Sequence, residues 1–451
     1  MNLPETVREL IHILENEGFE AWAVGGCVRD ALLDITPHDF DLCTSALPHQ
    51  LQQLFGQRRL VLSGLKHGTV GVVTDNGVVE ITTFRAEGDY SDSRHPGWVR
   101  FVCDIDQDLA RRDFTINAMA YSPLRGYRDP FGGREDLGRK LLRCVGDPNT
   151  RFREDALRIL RGARFAARFG LRIEEATWEA MLDNAPLLDQ LARERVFEEL
   201  CKLLCLTDAK MLCKLSPILT QIIPELRPMV GFDQRSPHHA HDVFTHTALV
   251  VQGVPPVETL RLAALLHDVG KPGSFTVDET GRGHFYGHAK LSGQMAGQIL
   301  QKLKAPAALR EEVVWLIEHH MAFYQPERKG IRRLLSRYGK ERLLMLNALH
   351  RADLKGKDAE NVDRELQELD AIRELIRQVE EEEGRMTLKK LAVNGNDLLQ
   401  MGVEPGSGMG MMLNRLLNAV MGEEVVNEKA PLLEMANRIW KESESAALDE
   451  K

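Results

Sequence analysis

Two aspartates one residue apart, Asp39 and Asp41, are the first residues whose types and spacing could do chemistry. Side chains alternate between the faces of a β-strand, so positions i and i+2 point the same way. Two carboxylates on one face can share hard cations such as Mg²⁺, which prefer oxygen ligands. Such a pair suits phosphoryl or nucleotidyl transfer, in which two metal ions hold the attacking and leaving oxygens. The alternative is a pair of solvated turn carboxylates, and the spacing alone does not decide between the two.

The residues around this pair favour a phosphate site beside a metal site. Gly25 and Gly26 end an apolar strand pattern and precede a short helical pattern that carries Arg29. Glycines let backbone N–H groups approach a phosphate, and a helix N-terminus adds partial positive charge. Glu80, on a later strand pattern, is a candidate third carboxylate for the metals, although an exposed edge glutamate is an equally good interpretation.

A second group of possible ligands lies between residues 226 and 360, which contain His241-Asp242 and His267-Asp268. The second pair ends an apolar helical pattern that stops at Gly270. An imidazole and a carboxylate that emerge from a buried helix end can bind one divalent ion. We interpret His241-Asp242 as structural.

Composition sets limits on what these residues can belong to. A chain of 451 residues should form two to four domains, and its 43% hydrophobic and 28% charged residues are ordinary for a soluble protein. No apolar run approaches the length of a membrane span, and the N-terminus resembles an amphipathic helix rather than a signal peptide. Seven scattered cysteines without a CxxC pair indicate reduced thiols, as in a cytoplasm.

The net charge of −9 argues mildly against a nucleic-acid partner. However, residues 151–168 hold six arginines against two acids, so a local basic face remains. On a helix opening at Glu154, the steps of three from Asp155 would place several of these side chains on one face.

The elements that must position these residues change type along the chain. Residues 20–145 are short β-rich runs broken by turns, including a predicted hairpin turn at Asp75-Asn76-Gly77. From residue 150 onward the apolar period is helical. Prolines mark a boundary near residue 226, and an acidic run marks another near 380.

Read in order, the motifs resemble the class II tRNA nucleotidyltransferases, that is, CCA-adding enzymes and their poly(A) polymerase relatives, followed by an HD-type phosphohydrolase domain. The matching stretches are VGGCVRDALL, DFDLCTSALP, GLKHGTVGVV, EITTFRAEGDYSDSRHP, LARRDFTINAMAY, DPFGGREDL, RFREDALRILRGARFAARFG and ERVFEEL. The resemblance implies an α+β fold, with a small polymerase-beta-like palm followed by an elongated all-α body that includes an HD domain. The domains we predict are a nucleotidyltransferase palm at 1–145, a helical base-recognition neck at 146–225, an HD domain at 226–380 and a helical tRNA-binding tail at 381–451.

For the palm and neck, the resemblance implies template-independent addition of C and A nucleotides to the 3′ end of tRNA from CTP and ATP with Mg²⁺. Asp39 and Asp41 would be the catalytic metal ligands. The nucleotide would be bound by Gly26, Arg29, Arg112, Asp155, Arg158, Arg161 and Arg164. Residues 87–96 fill the place of the family's flexible loop, which is associated with the switch from C to A addition.

In this family an Asp and an Arg on the basic helix pair with the incoming base. A carboxylate at Asp155 can accept from the exocyclic amine of cytosine or adenine, and Arg158 can donate to ring acceptors. Guanine and uracil carry a carbonyl at that place, which leaves two acceptors facing each other. The alternative for this helix is a solvated basic face with i,i+3 ion pairs. For the segment around Arg112 it is ordinary core, with Asp113 and Asn117 as caps.

For the later block, the resemblance implies a metal held by His246, His267, Asp268 and Asp353, with Mn²⁺ or Ni²⁺ as possible ions. His288 and His319 would be additional ligands or phosphate contacts, and Lys271 would help to neutralise phosphate. The rival functions are a poly(A) polymerase or A-adding enzyme, or an HD phosphohydrolase with an RNA-binding N-terminal module. Oligomeric state is not predicted.

Overall fold

The computed structural model describes residues 1–88, 99–235, 241–322, 324–357, 362–385, 388–421 and 424–449. The loop predicted at residues 87–96 therefore lies, from residue 89 onward, outside the described residues. The chain forms two compact units. One comprises Met1–Phe232, Pro256–Leu262 and Gly297–Arg310, and the other comprises Asp233–Pro255, Ala263–Ala296 and Glu311–Lys451.

A mixed sheet forms the N-terminal head of the first unit. The strands of the described residues are β1 (Ala21–Val24), β2 (Asp41–Thr44), β3 (Leu60–Val61), β4 (Thr69–Thr74), β5 (Gly77–Thr83), β6 (Arg85–Glu87), β7 (Val99–Phe101), β8 (Ala120–Ser122), β9 (Gly126–Arg128), β10 (Leu141–Leu142), β11 (Arg172–Ile173), β12 (Thr276–Val277) and β13 (Gly283–His284). Seven of them make the head sheet in the order β3-β4-β5-β2-β1-β8-β9.

The centre of this sheet is apolar because all four residues of β1 and three of the four in β2 are buried. The hairpin between β4 and β5 turns where it was predicted, and Gly77 there has a φ of 113°, which a residue with a side chain rarely adopts. Strand β2 begins at Asp41, so Asp39 precedes the strand rather than belonging to it. The expectation that both aspartates lie on one strand was wrong in this respect.

Helices dominate the rest of the chain. They are α1 (Glu5–Asn16), α2 (Gly26–Leu32), α3 (Pro48–Leu54), α4 (Ile105–Ala110), α5 (Gly133–Gly138), α6 (Pro148–Glu154), α7 (Leu157–Phe169), α8 (Glu175–Asn184), α9 (Arg193–Leu204), α10 (Ala209–Lys214), α11 (Ser216–Ile222), α12 (Val243–Gly253), α13 (Glu258–Leu266), α14 (Lys271–Ser274), α15 (His288–Lys302), α16 (Ala307–His319), α17 (Arg328–Tyr338), α18 (Lys340–Lys355), α19 (Val362–Arg385), α20 (Gly395–Gln400), α21 (Ser407–Met421) and α22 (Lys429–Asp449). A short 3-10 helix covers Thr115–Asn117.

The basic segment is divided between two helices. α6 ends at Glu154, Asp155 adopts an extended conformation as its C-cap, and α7 begins at Leu157. The predicted helix opening at Glu154 therefore starts three residues later, and only the arginines from Arg158 onward lie on α7. The predicted fold class, a head with a mixed sheet followed by a helical body, is confirmed.

Candidate active site and histidine–aspartate cluster

Three carboxylates, those of Asp39, Asp41 and Glu80, lie near one another at the start of β2. Asp41 is the register partner of Glu80 in the parallel pair β2–β5, so the two side chains leave the sheet on the same face. Partial desolvation raises the pKa of Asp41, and the negative charges of Glu80 and Asp39 raise it further against the lowering effect of Arg112. A partly desolvated carboxylate beside two further acidic groups fits a divalent cation, which would neutralise their charge. Their ligand oxygens do not all lie within 4.8 Å of one another, unlike those of the cluster described below.

Arg112 lies close to Asp41, one of these three carboxylates. Its Nη1 would be 2.6 Å from a Cβ at Gly25, so the glycine backbone is what leaves room for the guanidinium. Its Nη2 is 3.4 Å from Oδ2 of Asp108, a fully buried carboxylate. Although burial alone would raise the pKa of Asp108, the positive charges of Arg111 and Arg112 lower it. The buried Nε of Arg112 has no hydrogen-bond partner within the described part of the chain.

Arg29 is held inside the protein, although the sequence predicts a phosphate contact. Its Nε and Nη2 donate to Oδ1 of Asp30 at 2.8 and 2.6 Å, and its Nη1 donates to Oδ1 of Asn117 at 2.5 Å. The guanidinium also lies over the rings of Phe165 and Phe169. Only 4% of the residue is exposed, and burial lowers the pKa of the guanidinium. A direct phosphate contact by Arg29 stays a prediction, and it would require one of these hydrogen bonds to be exchanged.

Gly26 and its neighbour form the entry to α2. Gly25, with a φ of 72°, is the N-cap of the helix, and Gly26 is its first residue. A Cβ at Gly26 would lie 3.6 Å from Nη2 of Arg29, an ordinary contact distance. Of the two positions, it is Gly25 that cannot carry a side chain without displacing Arg112.

The polar residues predicted to read the base are paired with other protein groups. Asp155 accepts from the backbone N–H of Leu157 at 3.1 Å and from Nη2 of Arg195 at 3.2 Å. Arg158 donates to the carbonyl oxygens of Arg151 and Arg111, each at 3.1 Å.

The next two arginines of α7 are paired with buried carboxylates. Arg161 donates twice to Oδ2 of Asp113, from Nε at 3.0 Å and from Nη2 at 2.8 Å. Arg164 donates from Nε to Glu199 at 2.7 Å. Both carboxylate-bearing residues are less than 10% exposed. The structure thus places the α7 arginines in a network of charges, and their contacts to a nucleotide remain predictions.

Asp113 and Asn117 have a larger role than the helix caps considered above. Asn117 bonds both Arg29 and Asp113, and Asp113 in turn binds Arg161. Neither residue is among the predicted site residues. Their spacing of four in RRDFTIN, beside Arg112, was the only signal in the sequence that could have drawn attention to them.

A dense cluster of histidines and aspartates lies within the second unit. Ligand atoms of His246, His267 and Asp268 lie within 4.8 Å of one another, and so do those of Asp268, His288 and His320. The two groups share Asp268, which is 1% exposed. Asp353 completes the set, since its Oδ1 is 3.0 Å from Nε2 of His246 and 3.7 Å from Nε2 of His267.

The tautomers implied by these contacts suit a cation. In each of the four histidines Nδ1 lies 2.6–3.0 Å from a backbone carbonyl, those of Gly356, Ala264, Phe285 and Ile317. A carbonyl can only accept, so Nδ1 carries the proton and a neutral ring presents Nε2 as an acceptor. Four Nε2 acceptors and two carboxylates then face one another. The Nε2 atoms of His288 and His320 are only 3.2 Å apart.

His267 and Asp268 show that the cluster is incompletely satisfied by protein groups. Nε2 of His267 lies 3.2 Å from Oδ2 of Asp268, yet among the described residues neither this nitrogen nor either oxygen of Asp268 makes an aligned hydrogen bond. Burial lowers the pKa of His267, but Asp268 and Asp353 outweigh it and raise that pKa to about 9. Buried groups with unfilled bonding capacity that aim at one point fit a divalent ion.

Two lysines offset the negative charge of the cluster. Nζ of Lys271 is 2.7 Å from Oδ2 of Asp268, and Lys357 pairs with Oδ2 of Asp353. Against the opposing effect of burial, these cations and the neighbouring histidines hold the pKa of both aspartates well below the ordinary value.

The structure corrects one predicted ligand and explains one rejected pair. His319 was named as an additional ligand, but its ring stacks on Trp315 and its Nδ1 bonds the Trp315 carbonyl, whereas the next residue, His320, lies in the cluster. Asp242 is the N-cap of α12 and accepts from the N–H groups of Phe244 and Thr245. This capping role supports the structural interpretation of Asp242, and that of His241 stays a prediction.

Comparisons with known proteins identify the class first. Residues 21–143 match the "Poly A polymerase head domain" family, and residues 170–229 match "Probable RNA and SrmB- binding site of polymerase A". Residues 284–436 match "tRNA nucleotidyltransferase domain 2 putative". The head sheet with its carboxylate edge is thus a nucleotidyltransferase head.

Full-length relatives then define the family. The chain is 34% identical to the CCA-adding enzyme of Streptococcus thermophilus over 440 residues, 96% of each chain. It is 32% identical to that of Pediococcus pentosaceus, over 97% of this chain and 98% of the relative. The chain belongs to the family of CCA-adding enzymes.

Solved structures agree with this assignment. The crystal structure of the Bacillus stearothermophilus CCA-adding enzyme in complex with CTP is 28% identical, with a TM-score of 0.66 over 99% of this chain and all of that one. The Thermotoga maritima enzyme complexed with tRNA, at 19% identity and a TM-score of 0.58, shares the fold. Within the described residues we find no helix with both the length and the apolar character that crossing a bilayer requires.

Proposed function

We propose that the carboxylate edge of the head catalyses the reaction of this family member, the addition of C and A nucleotides to the 3′ end of tRNA from CTP and ATP. The observation that carries the proposal is the register of Asp41 with Glu80, with Asp39 and Arg112 close enough to perturb the pKa of Asp41. The pairing brings together carboxylates that are about forty positions apart in the sequence. Acids gathered on one side and an arginine on the other match the needs of a metal-bound triphosphate.

Asp39 and Asp41 are the residues that would hold magnesium, with Glu80 in reach of the same edge. Magnesium bound there would activate the 3′-hydroxyl of the tRNA and neutralise charge at the α-phosphate. Through the bound metal, the carboxylates would set the position of the 3′-hydroxyl. Partial desolvation, and then the negative charges of Glu80 and Asp39, raise the pKa of Asp41, and a bound cation would offset both effects.

Arg112 would bind the phosphates that leave as pyrophosphate. Its Nε is a buried donor without a partner among the described residues, and its Nη2 is anchored to Asp108. An arginine whose position is already fixed loses little entropy when an anion arrives, so it can stabilise charge as the leaving group departs. The N–H groups at Gly26, the first residue of α2, would add donors at the same end of the nucleotide.

Asp155 and Arg158 would select the base. Asp155 follows α6 in an extended conformation, and contact with a base would require its carboxylate to exchange a hydrogen bond from Leu157 or Arg195. A carboxylate there accepts from the amine of C or A and opposes the carbonyl of U or G. Arg161 and Arg164, each paired with a buried acid, would support the pocket on the same helix.

Product length on a tRNA that lacks its CCA end tests this function. The RNA is incubated with CTP alone, ATP alone or both, and the products are resolved on a gel. We expect three added residues with both nucleotides and two with CTP alone. A long ladder with ATP would instead indicate a poly(A) polymerase, and one residue with ATP on a tRNA ending in CC, without any C addition, an A-adding enzyme.

The histidine–aspartate cluster supports a second candidate activity, metal-dependent hydrolysis of phosphate esters such as 2′,3′-cyclic phosphates. Two overlapping groups of buried ligand atoms that share Asp268, with Asp353 beside the first of them, are the observation that favours it. One ion, Mn²⁺ or Ni²⁺, would be held by His246, His267, Asp268 and Asp353. His288 and His320 lie close to the same Asp268 and would be further ligands. A divalent ion there would supply a nucleophilic water and polarise a phosphoryl oxygen. Lys271, already beside Asp268, can neutralise a phosphate.

Ring opening of a cyclic phosphate to a nucleoside monophosphate by an Asp39→Ala variant separates the two activities. With Mn²⁺ or Ni²⁺ and a nucleoside 2′,3′-cyclic phosphate, turnover that persists in Asp39→Ala and disappears in Asp268→Asn supports hydrolysis in the second unit. Absence of turnover with Mg²⁺, Mn²⁺ and Ni²⁺ would leave the cluster a structural site. We also propose the domain limits given above, with an HD domain at 226–380 and a tRNA-binding tail at 381–451. A cytoplasmic location is part of the same proposal.

A further inference from the structure

A continuous chain of polar contacts joins two of the predicted nucleotide-binding arginines. Nη1 of Arg29 donates to Oδ1 of Asn117 at 2.5 Å, and Nδ2 of Asn117 donates to Oδ1 of Asp113 at 3.0 Å. Oδ2 of Asp113 accepts both hydrogen bonds from Arg161, at 3.0 and 2.8 Å. Asn117 and Asp113 are each 7% exposed and Arg29 is 4% exposed. The link therefore runs through the interior, where hydrogen bonds to charged groups are strong.

The two ends of the Asn117 amide are not interchangeable in this chain. Its oxygen can only accept, which suits Arg29, and its nitrogen can only donate, which suits Asp113. The contacts therefore define the orientation of the amide. A carboxylate at this position would face Asp113 acceptor to acceptor, and an apolar side chain would leave a buried guanidinium without one of its bonds.

An aromatic ring closes the chain of contacts into a loop. Cζ of Arg29 is 5.2 Å from the centroid of Phe165, and Cζ of Arg161 is 5.4 Å from the same centroid. Phe165 is 5% exposed and lies one helical turn after Arg161 on α7. Guanidinium groups over a desolvated ring are attracted to its face. Neither arginine can shift without disturbing the ring or the Asn117–Asp113 link that they share.

We propose that Asp113 and Asn117 are positioning residues that couple Arg29, at the phosphate end of the nucleotide, to Arg161, on the helix at the base end. Binding of the triphosphate and selection of the base are then set together, because a displacement of one guanidinium is transmitted to the other. The proposal rests on the nucleotide-binding roles proposed above for Arg29 and Arg161.

Exchange of the amide and the carboxylate tests the link directly. Asn117→Asp and Asp113→Asn are measured singly and together for kcat and KM with CTP and ATP, and for the fraction of UTP incorporated. Each single variant should raise KM for both nucleotides about fivefold or more and increase UTP incorporation. The double variant restores one carboxylate and one amide side by side, with the charge now facing Arg29, and should recover most of the loss in KM. Failure of the double variant to recover any KM, with its melting temperature restored, would overturn the proposal.

A double-mutant cycle supplies a readout that a purely structural role would not move. Arg29→Lys and Arg161→Lys should be coupled by about fivefold or more in kcat/KM. The matched control is Arg29→Lys with Arg164→Lys. Arg164 also lies over Phe165 but is paired with Glu199, so its coupling to Arg29 should be clearly smaller.

The outcomes distinguish this inference from the function beneath it. Additive effects of Arg29→Lys and Arg161→Lys would overturn the coupling and leave the nucleotide-binding roles intact. If each single variant keeps the kcat/KM of the parent enzyme, those roles themselves are wrong, and the coupling falls with them.

Discussion

Asp41 lies directly opposite Glu80 in the parallel pair of strands β2 and β5, at the edge where β2 begins. The pairing places Glu80 next to a proposed metal ligand, a position that the sequence alone did not determine. Asp41→Ala or Asp39→Ala should lower the kcat of nucleotide addition by about a hundredfold or more, because several kcal/mol of charge stabilisation are lost. Gel assays of addition, with filter binding of tRNA, check that the RNA is still bound. Retained turnover in both variants would contradict the metal assignment.

Glu80→Gln tests whether Glu80 binds the metal or only lies beside the residues that do. If Glu80 holds a metal, the variant should need a higher Mg²⁺ concentration for half-maximal activity, about tenfold or more. If it only borders the site, removal of its negative charge should leave the Mg²⁺ dependence unchanged. The titration of initial rate against Mg²⁺ decides between them, with Glu135→Gln, an exposed acid on α5, as a control for surface charge.

Gly25 should be intolerant of a side chain for a reason specific to the site. In Gly25→Ala the new Cβ would displace the guanidinium of Arg112, and we expect KM for both CTP and ATP to rise about tenfold. Gly126→Ala is the matched control, because Gly126 has nearly the same φ, 73°, but open space around its Cβ. Both variants should lose stability from backbone strain because φ is positive at both positions, and Gly25→Ala should lose more because a ψ of −120° lies outside the left-handed helical region. Equal kinetic effects in the two would show that strain alone, and not Arg112, is responsible.

Asp155 should control which bases are accepted. Asp155→Ala is expected to lower the discrimination against UTP and GTP by about tenfold or more, since the acceptor that opposes their carbonyls is gone. Asp155→Asn should favour UTP in particular, because its amide can donate to the carbonyl. Incorporation of each of the four nucleotides is measured singly. Asp147→Ala, which removes the N-cap of α6, controls for helix stability and should leave selectivity unchanged.

Much of this site was predictable from the sequence because its motifs are local. The strand, glycine pair and short helix around Gly26 follow from apolar patterning, and the β4–β5 hairpin follows from Asn-Gly. Pairings between distant segments were not predictable. The register that sets Glu80 beside Asp41, and the acid that each α7 arginine binds, depend on how the elements pack rather than on residue spacing.

Boundaries of one or two residues escaped prediction for the same reason. His319 and His320 are adjacent at the end of α16, and patterning cannot tell which of two neighbours turns inward once the helix stops. Likewise, the sequence does not reveal the break between α6 and α7 at Asp155. Charged residues recur every three positions from Asp155 through Arg158 onward, and this spacing is the same with or without a break.

The His319–His320 pair gives a matched test of the cluster. Asp268→Asn removes the carboxylate that both ligand groups share. Calorimetry with Mn²⁺ or Ni²⁺ should show that this variant binds the metal about a hundredfold or more weakly. Loss of a residue that only hydrogen-bonds to a metal ligand already costs about 10–100-fold in metal affinity. His320→Gln should weaken binding, while His319→Gln should not. Equal effects of the two histidine variants would contradict the assigned ligands.

Asp113 should make stability depend on acid pH. Burial alone would raise the pKa of its carboxyl, but Arg161, Asn117 and Arg158 lower it to about 2, against an ordinary value of 3.8. A depressed folded-state pKa contributes stability that is fully present above the unfolded value and is lost as pH falls through the folded one. The contribution is about 2 kcal/mol at neutral pH. Asp113→Asn should therefore be less stable than the parent by about that amount at pH 6, and the difference should shrink between pH 4 and pH 2. Denaturant unfolding at a series of pH values measures it, and a difference that stays constant down to pH 2 would show that the carboxylate charge does not stabilise the fold.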